Sequence, residues 1–123
     1  MQVYLTEFFE ITDFPSEARK AYFAAFDGIL ASAEASARFA ALLAAYDAKM
    51  HLDFADAIAE MTAICEVVGV HPFTGHGLLL ACLSQRLRQR YRQQGIDDGI
   101  WQNTMLDLKY KAVECHLDRK SVV

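Results

Sequence analysis

The segment from Gly95 to Cys115 places apolar residues on two opposite sides of one predicted helix. Successive residues of a helix are about 100° apart, so residues three or four positions apart share a side. One stripe consists of Trp101, Met105, Leu108, Ala112 and Cys115. The opposite stripe consists of Leu106, Tyr110, Val113 and Leu117. Because a helix at the edge of a small bundle needs only one apolar stripe, we expect the second to meet another domain or another chain.

The rest of the chain has helical periodicity and no sustained β alternation. The clearest stripe follows the predicted N-cap Asp53 and consists of Phe54, Ile58, Met61, Cys65 and Val68. These residues have the spacing of one helix face, and Gly69 suits the left-handed position that ends a helix. A chain of 123 residues is long enough for one domain with a real core. The sequence therefore predicts one all-α domain over residues 1–123, a bundle or array of about five to six helices.

Local signals predict where helices begin and end. Asp27–Gly28 predicts a break in the first clear helix. The segment Val70–Gly77 contains one proline and two glycines and therefore predicts a loop, followed by a helix from about Leu78 to Gln94. Either Asp97 or Asp98 is expected to cap the last helix, because a carboxylate suits the positive helix end.

Composition and charge limit the cellular location and the classes of binding partner expected for this chain. A net charge of −4 argues against a nucleic-acid-binding surface. The longest uncharged apolar runs, such as Gly77–Ser84, are far shorter than the roughly 20 residues of a membrane-spanning helix, and the N-terminus lacks the basic region of a signal peptide. Cys65, Cys82 and Cys115 lie in apolar helical patterns without CxxC spacing, as is typical of reduced, buried thiols. We therefore expect a cytoplasmic protein without nucleic-acid or membrane partners.

No set of residues has the spacing of a catalytic or metal site. His71 and His76 are five positions apart in the predicted loop, with no second pair nearby, and neither HExxH nor Glu-x-x-His occurs. Glu114, Cys115 and His116 are consecutive, so they diverge on a helix. We therefore predict no catalytic residue, no metal site and no cofactor bound by this chain.

Four arginines alternate along the helix that precedes Gly95. On a helix Arg86 and Arg90 lie on one side, and Arg88 and Arg92 lie roughly opposite. This arrangement is a poor groove for following phosphates, and cations in the last turns also complement the negative helix end. We expect ordinary surface roles, with one pair left open as a contact to an acidic partner.

A string of ordinary residues in the second half forms a pattern. It consists of Leu78–Leu80, Arg88, Tyr91, Gly95, Ile96, Thr104, Asp107, Leu108, Lys109, Glu114 and Cys115. With these residues, the region from about Ile64 to Cys115 resembles the N-terminal helical domain of a bacterial family of GNAT-like N-acyltransferase proteins. The resemblance implies a helical region that precedes a GNAT-like part, where acyl-CoA would bind. For these 123 residues it implies an accessory role without a cofactor.

Local interactions are a second explanation for part of the pattern. Thr104 is placed to donate a hydrogen bond to the Ile100 carbonyl, and Asp107 and Lys111 have the i, i+4 spacing of a helical ion pair. Neither interaction needs a ligand or a second domain.

Three functions follow from these observations. In the first, the chain packs on a GNAT-like catalytic domain and helps to shape the acceptor-substrate site, using Leu106, Tyr110, Val113 and Leu117. In the second, the same residues form the symmetric interface of a homodimeric scaffold or regulatory protein. In the third, a small-molecule binder or enzyme uses a pocket near the loop from His71 to His76.

Overall fold

Five α-helices dominate the computed structural model of this chain, which describes Leu5, Phe8, Phe9 and residues 15–49 and 53–121. The side chains at 48–49 and 112–121 lie outside that description. The helices are α1 (Ser16–Leu30), α2 (Ala33–Lys49), α3 (Phe54–Val68), α4 (Pro72–Gln93) and α5 (Asp98–Ser121). No strand occurs in the described ranges, and the all-α fold predicted from the sequence is confirmed.

Short polar side chains and glycines define several helix ends. Asp53 Oδ1 accepts the Ala55 N–H at 3.0 Å, which confirms the predicted cap of α3. Ser32 Oγ accepts a backbone N–H of the first turn of α2 at 3.2 Å. Each of these bonds satisfies an N–H that has no partner inside the helix. Gly69 and Gly95 have φ angles of 73° and 74° after α3 and α4, a left-handed conformation open to glycine without strain.

Two segments predicted to interrupt helices are helical in the structure. α1 continues through Asp27 and Gly28 to Leu30, and α4 already begins at Pro72. Most of the predicted loop Val70–Gly77 therefore forms the first turns of α4. Proline is compatible with this position because the first turn of a helix does not use its N–H.

Gly75 and Gly77 permit close helix packing rather than a turn. A Cβ at Gly75 would overlap Cys65 Sγ of α3, and a Cβ at Gly77 would lie 2.5 Å from Tyr22 Oη of α1. The absence of side chains at these two positions lets α4 approach its neighbours on both sides. The two glycines that suggested a loop thus allow α4 to pack closely against α3 and α1.

The core is built around α4, which packs against α1, α3 and α5. The main cluster includes the predicted α3 stripe residues Ile58, Met61 and Cys65, all of which are buried. A second, smaller cluster consists of Leu87, Trp101 and Met105. Leu80 of α4 contacts both clusters. α5 is thus attached to α4 through an apolar cluster of its own.

None of the described helices is by itself long and apolar enough to cross a membrane. α1 and α2 meet the length and composition criterion only as a pair, with a bend of 113° between them. In the structure Phe26, Ile29 and Leu43 of this pair are buried in the core.

Candidate functional site

The last helix, α5, has one buried face and one exposed face. Trp101 and Met105 are 8% and 6% exposed, and Leu108 is partly buried beside them. On the opposite side Leu106 and Tyr110 are 51% and 69% exposed, and we call these two residues the outer face of α5. The other predicted members of the two stripes lie on α5 at positions whose side chains are outside the described residues, namely Ala112, Val113, Cys115 and Leu117. The use of the exposed stripe as an interaction surface stays a prediction.

Trp101 fixes the orientation of α5 on α4. Its indole Nε1–H donates to the carbonyl oxygen of Ser84 at 2.9 Å, so the buried donor is satisfied. The guanidinium carbon of Arg88 lies 4.3 Å from the centre of the indole ring, in cation–π contact. Leu87 and Met105 pack against the same ring system. The outer face is therefore carried by a helix with a defined rotation about its own axis.

Arg88 and Arg92 of α4 converge on Asp98 in the first turn of α5. Arg88 Nη2 donates to Asp98 Oδ2 at 3.1 Å, and Arg92 Nη2 donates to the same oxygen at 2.8 Å. The hydrogen bond from Arg92, followed by that from Arg88, lowers the pKa of Asp98 to about 2. The preceding Asp97 accepts the Gly99 N–H at 2.9 Å and caps the helix. Both predicted start residues are used, one as a cap and the other as an ion-pair partner.

Arg86 and Arg90 converge on Asp47 near the end of α2. Arg86 Nε donates to Asp47 Oδ1 at 3.0 Å, and Arg90 Nη2 donates to the same oxygen at 2.6 Å. Arg90 also reaches the backbone carbonyl of Asp47 at 2.6 Å. The hydrogen bond from Arg86 is the main cause that holds the pKa of Asp47 below its usual value. This second arginine pair joins α4 to α2.

The four arginines are therefore used inside the chain, in the two pairs that helical spacing predicted. The partners of these arginines were not predicted: Asp47 precedes Arg86 by 39 residues, and Asp98, six residues after Arg92, was expected to act only as a helix cap. The only available signal was the spacing of four residues within each pair. The polar groove beside Arg86 and Arg90 also contains Gln93 and Gln94 and lies at the C-terminal end of α4. Free carbonyl groups make that end of a helix unfavourable for an anion.

A groove of about 270 Å³ lies beside the outer face of α5. It is formed by the residue before α1, the middle of α4 and one side of α5, through Pro15, Ser84, Trp101, Met105 and Leu106. Gln102 and Lys109 complete the lining. Leu106 thus belongs to both the groove and the outer face. No signal in the sequence brings Pro15 close to α5, so this site was missed.

The two histidines of the predicted loop have separate structural roles. His71 Nδ1 accepts the Phe73 N–H at 3.1 Å and caps α4. His76 is inside α4 and 5% exposed, with Nε2 at 2.8 Å from Thr62 Oγ1. The Thr62 hydroxyl donates to the Ile58 carbonyl at 2.8 Å, so His76 Nε2 must supply the proton for its bond to Thr62. One histidine is at an exposed helix end and the other is in the core, and the two do not share a site.

The described residues contain no group of three or more His, Cys, Asp or Glu side chains that could hold a metal ion. Cys65 and Cys82 are buried and free. Burial raises the pKa of the Cys82 thiol far above its usual value, so this sulfur remains a thiol at neutral pH. Glu114, Cys115 and His116 lie on α5, and their side chains are not among those described.

Several positions of the acyltransferase-like pattern build the junction between α4 and α5. Arg88 contacts Trp101 and Asp98, as described above. Tyr91 is partly buried against the small apolar cluster, and its carbonyl accepts the Ile96 N–H at 2.8 Å across the turn at Gly95. The local contacts of Arg88 and Tyr91 explain these two residues without a ligand or a second domain.

The remaining pattern positions lie along α5. Thr104 Oγ1 donates to the Ile100 carbonyl at 3.0 Å, which confirms the predicted local bond. Asp107, Lys109 and Lys111 are exposed, and no ion pair joins Asp107 to Lys111 in the described part of the helix. The side chain of Glu114 is not among those that the structure describes.

Comparison of this sequence with protein-family models, with curated proteins and with solved structures finds no match. The features that bear on function are therefore those of the chain itself: the outer face of α5, the groove beside it and the two arginine–aspartate contacts that hold the helices.

Proposed function

We propose that this chain is an interaction domain that docks on a protein partner through the outer face of α5. The observation that carries the proposal is the exposure of Leu106 and Tyr110 one turn apart, on a helix whose opposite side is already buried. A covered aromatic side chain buries on the order of 150–250 Å², and tyrosine is enriched at protein interfaces. A partner would therefore gain substantial apolar burial at this position.

The way α5 is held supports docking without rearrangement. The Trp101 indole is anchored to α4, and Asp98 is bound by two arginines of the same helix. A surface that is already ordered loses less conformational entropy on binding than a flexible one. The outer face is thus presented in a form that favours association.

The partner that we propose is a GNAT-like N-acyltransferase domain, for which this chain is an accessory helical domain that helps to shape the acceptor-substrate site. Support comes from the sequence resemblance over about Ile64–Cys115. On this proposal the partner binds acyl-CoA, and the helical chain contributes no catalytic group.

The test is to read the coding frame beyond Val123 and to express any following αβ segment as a separate protein. Association of that protein with the 123-residue chain is then measured by isothermal titration calorimetry. We expect Tyr110→Glu to weaken binding at least about tenfold, because it places a charge in an apolar contact. Lys111→Gln, a neighbouring exposed position on another side of α5, is the matched control. No association, or equal binding by wild type and Tyr110→Glu, would reject the proposal.

Self-association of the isolated chain distinguishes the homodimer alternative. Light scattering of the wild-type chain is expected to give the mass of a monomer if the outer face serves a different protein. A dimer that becomes a monomer in Tyr110→Glu would instead show that the face pairs with a second copy.

A further inference from the structure

The groove beside α5 has mostly apolar walls. Pro15, Met105 and Leu106 line it together with the ring of Trp101. The indole is held by its hydrogen bond to the Ser84 carbonyl and by the guanidinium of Arg88. The volume of about 270 Å³ is just below the roughly 300–1,000 Å³ found for small-molecule sites. The space suits one ring or a short alkyl chain.

The polar groups of the groove favour an anion. Lys109 is part of the lining, and no ion pair involves it within the described residues. Gln102 adds an amide donor on the same helix, and no carboxylate is among the described lining residues. The ammonium group of Lys109 can donate a charge-assisted hydrogen bond to a carboxylate oxygen. Arg88 does not line the groove, and its guanidinium contacts Asp98 and the indole of Trp101 instead.

We infer that the groove binds a small amphiphilic carboxylate. Its ring or alkyl part contacts Trp101 and Leu106, and its carboxylate lies at Lys109. The inference does not rest on the proposed docking function: Leu106 belongs to both surfaces, but the charge contact at Lys109 and the ring of Trp101 belong to the groove alone, and Tyr110 is not involved.

Trp101 makes the inference directly measurable, because it is the only tryptophan in the sequence and lines the groove. The chain is titrated with 4-phenylbutyrate and, separately, with 4-phenylbutanol, which has the same ring and chain without the charge. We expect a saturable change in tryptophan emission with a dissociation constant in the millimolar range for the acid. The alcohol is expected to bind about two- to fivefold more weakly, the usual worth of one exposed charge contact.

Three variants locate the contacts. Lys109→Gln is expected to abolish the preference for the acid, whereas Lys111→Gln makes the same charge change outside the groove and should preserve it. Leu106→Ala is expected to weaken the binding of both ligands. Because the Leu106 side chain is half exposed, this substitution should leave the protein folded. The inference is overturned by an emission change that does not saturate, by equal affinity for acid and alcohol, or by a preference that survives Lys109→Gln.

Discussion

Replacing Gly75 with alanine is expected to destabilise the crossing of α3 and α4. A Cβ at this position would overlap Cys65 Sγ, and Cys65 is fully buried with little room to move. Overpacking of a tight core costs about 1–3 kcal/mol, and the overlap here places the cost near the upper limit. Alanine offsets about 1 kcal/mol of that through its higher helix propensity. The net expectation is a loss of about 2 kcal/mol in the free energy of unfolding.

Removing the Cys65 sulfur is expected to make Gly75→Ala stabilising instead of destabilising. With Cys65→Ala, the nearest atoms to a Gly75 Cβ are Met61 Cε at 3.6 Å and the residue 65 Cβ at 3.7 Å, both ordinary contacts. In that background Gly75→Ala should stabilise the protein by up to about 1 kcal/mol. The coupling between the two substitutions is therefore about 3 kcal/mol, at the upper end for residues in contact.

Urea unfolding followed by far-ultraviolet circular dichroism measures the effect of Gly75→Ala in the wild type and in Cys65→Ala. The comparison requires that the dependence of the unfolding free energy on urea concentration is the same in all variants. Gly28→Ala is the matched control, because its Cβ would lie 3.8 Å from Val70 Cγ2, an ordinary contact inside α1. It should raise stability by about 0.5–1 kcal/mol. The reasoning fails if Gly75→Ala is as stable as the wild type, or if its effect is the same with and without the Cys65 sulfur.

Three further outcomes are expected. His71→Ala should cost about 1 kcal/mol in a urea titration, whereas His71→Asn should retain the cap of α4, and equal stability of the two variants would contradict the capping role. Because the folded-state pKa of Asp98 is about 2 and the unfolded value is about 4, its stabilisation is present at neutral pH and is lost as the pH falls from about 4 to 2. Asp98→Asn should flatten that limb of the stability–pH curve, and an unchanged limb would count against the two-arginine contact. Asp47→Ala should lower the free energy of unfolding by about 2 kcal/mol, since it leaves two partly buried arginines without their carboxylate, and a cost near zero would show that α2 is held by other contacts.

The features predicted correctly from the sequence depend on neighbouring residues. Asp53 caps α3, Gly69 ends it, and Thr104 bonds to the carbonyl four residues before it. Each of these depends on the residue itself and on backbone groups within about one helical turn. The all-α fold followed for the same reason, since helical periodicity is visible along a single segment.

The features that were missed depend on residues far apart in the chain. Gly75 and Gly77 were interpreted as loop glycines, because a sequence does not distinguish a glycine needed for a turn from one needed for close packing. The difference lies in Cys65 and Tyr22, which belong to other helices. The groove was missed for the same reason, because Pro15 comes close to α5 only through the packing of α1 and α4.

The separate apolar cluster around Trp101 has a consequence for how this protein unfolds. α5 buries Trp101 and Met105 with Leu87 of α4 in a cluster separate from the main core, and it also contacts α3. Such an arrangement allows the last helix to detach as a cooperative unit before the other four lose their structure. Tryptophan emission would then change at a lower temperature than the helical circular dichroism signal. A ligand or partner that covers α5 would bring the two transitions together, so the gap between them measures occupancy of this end of the molecule.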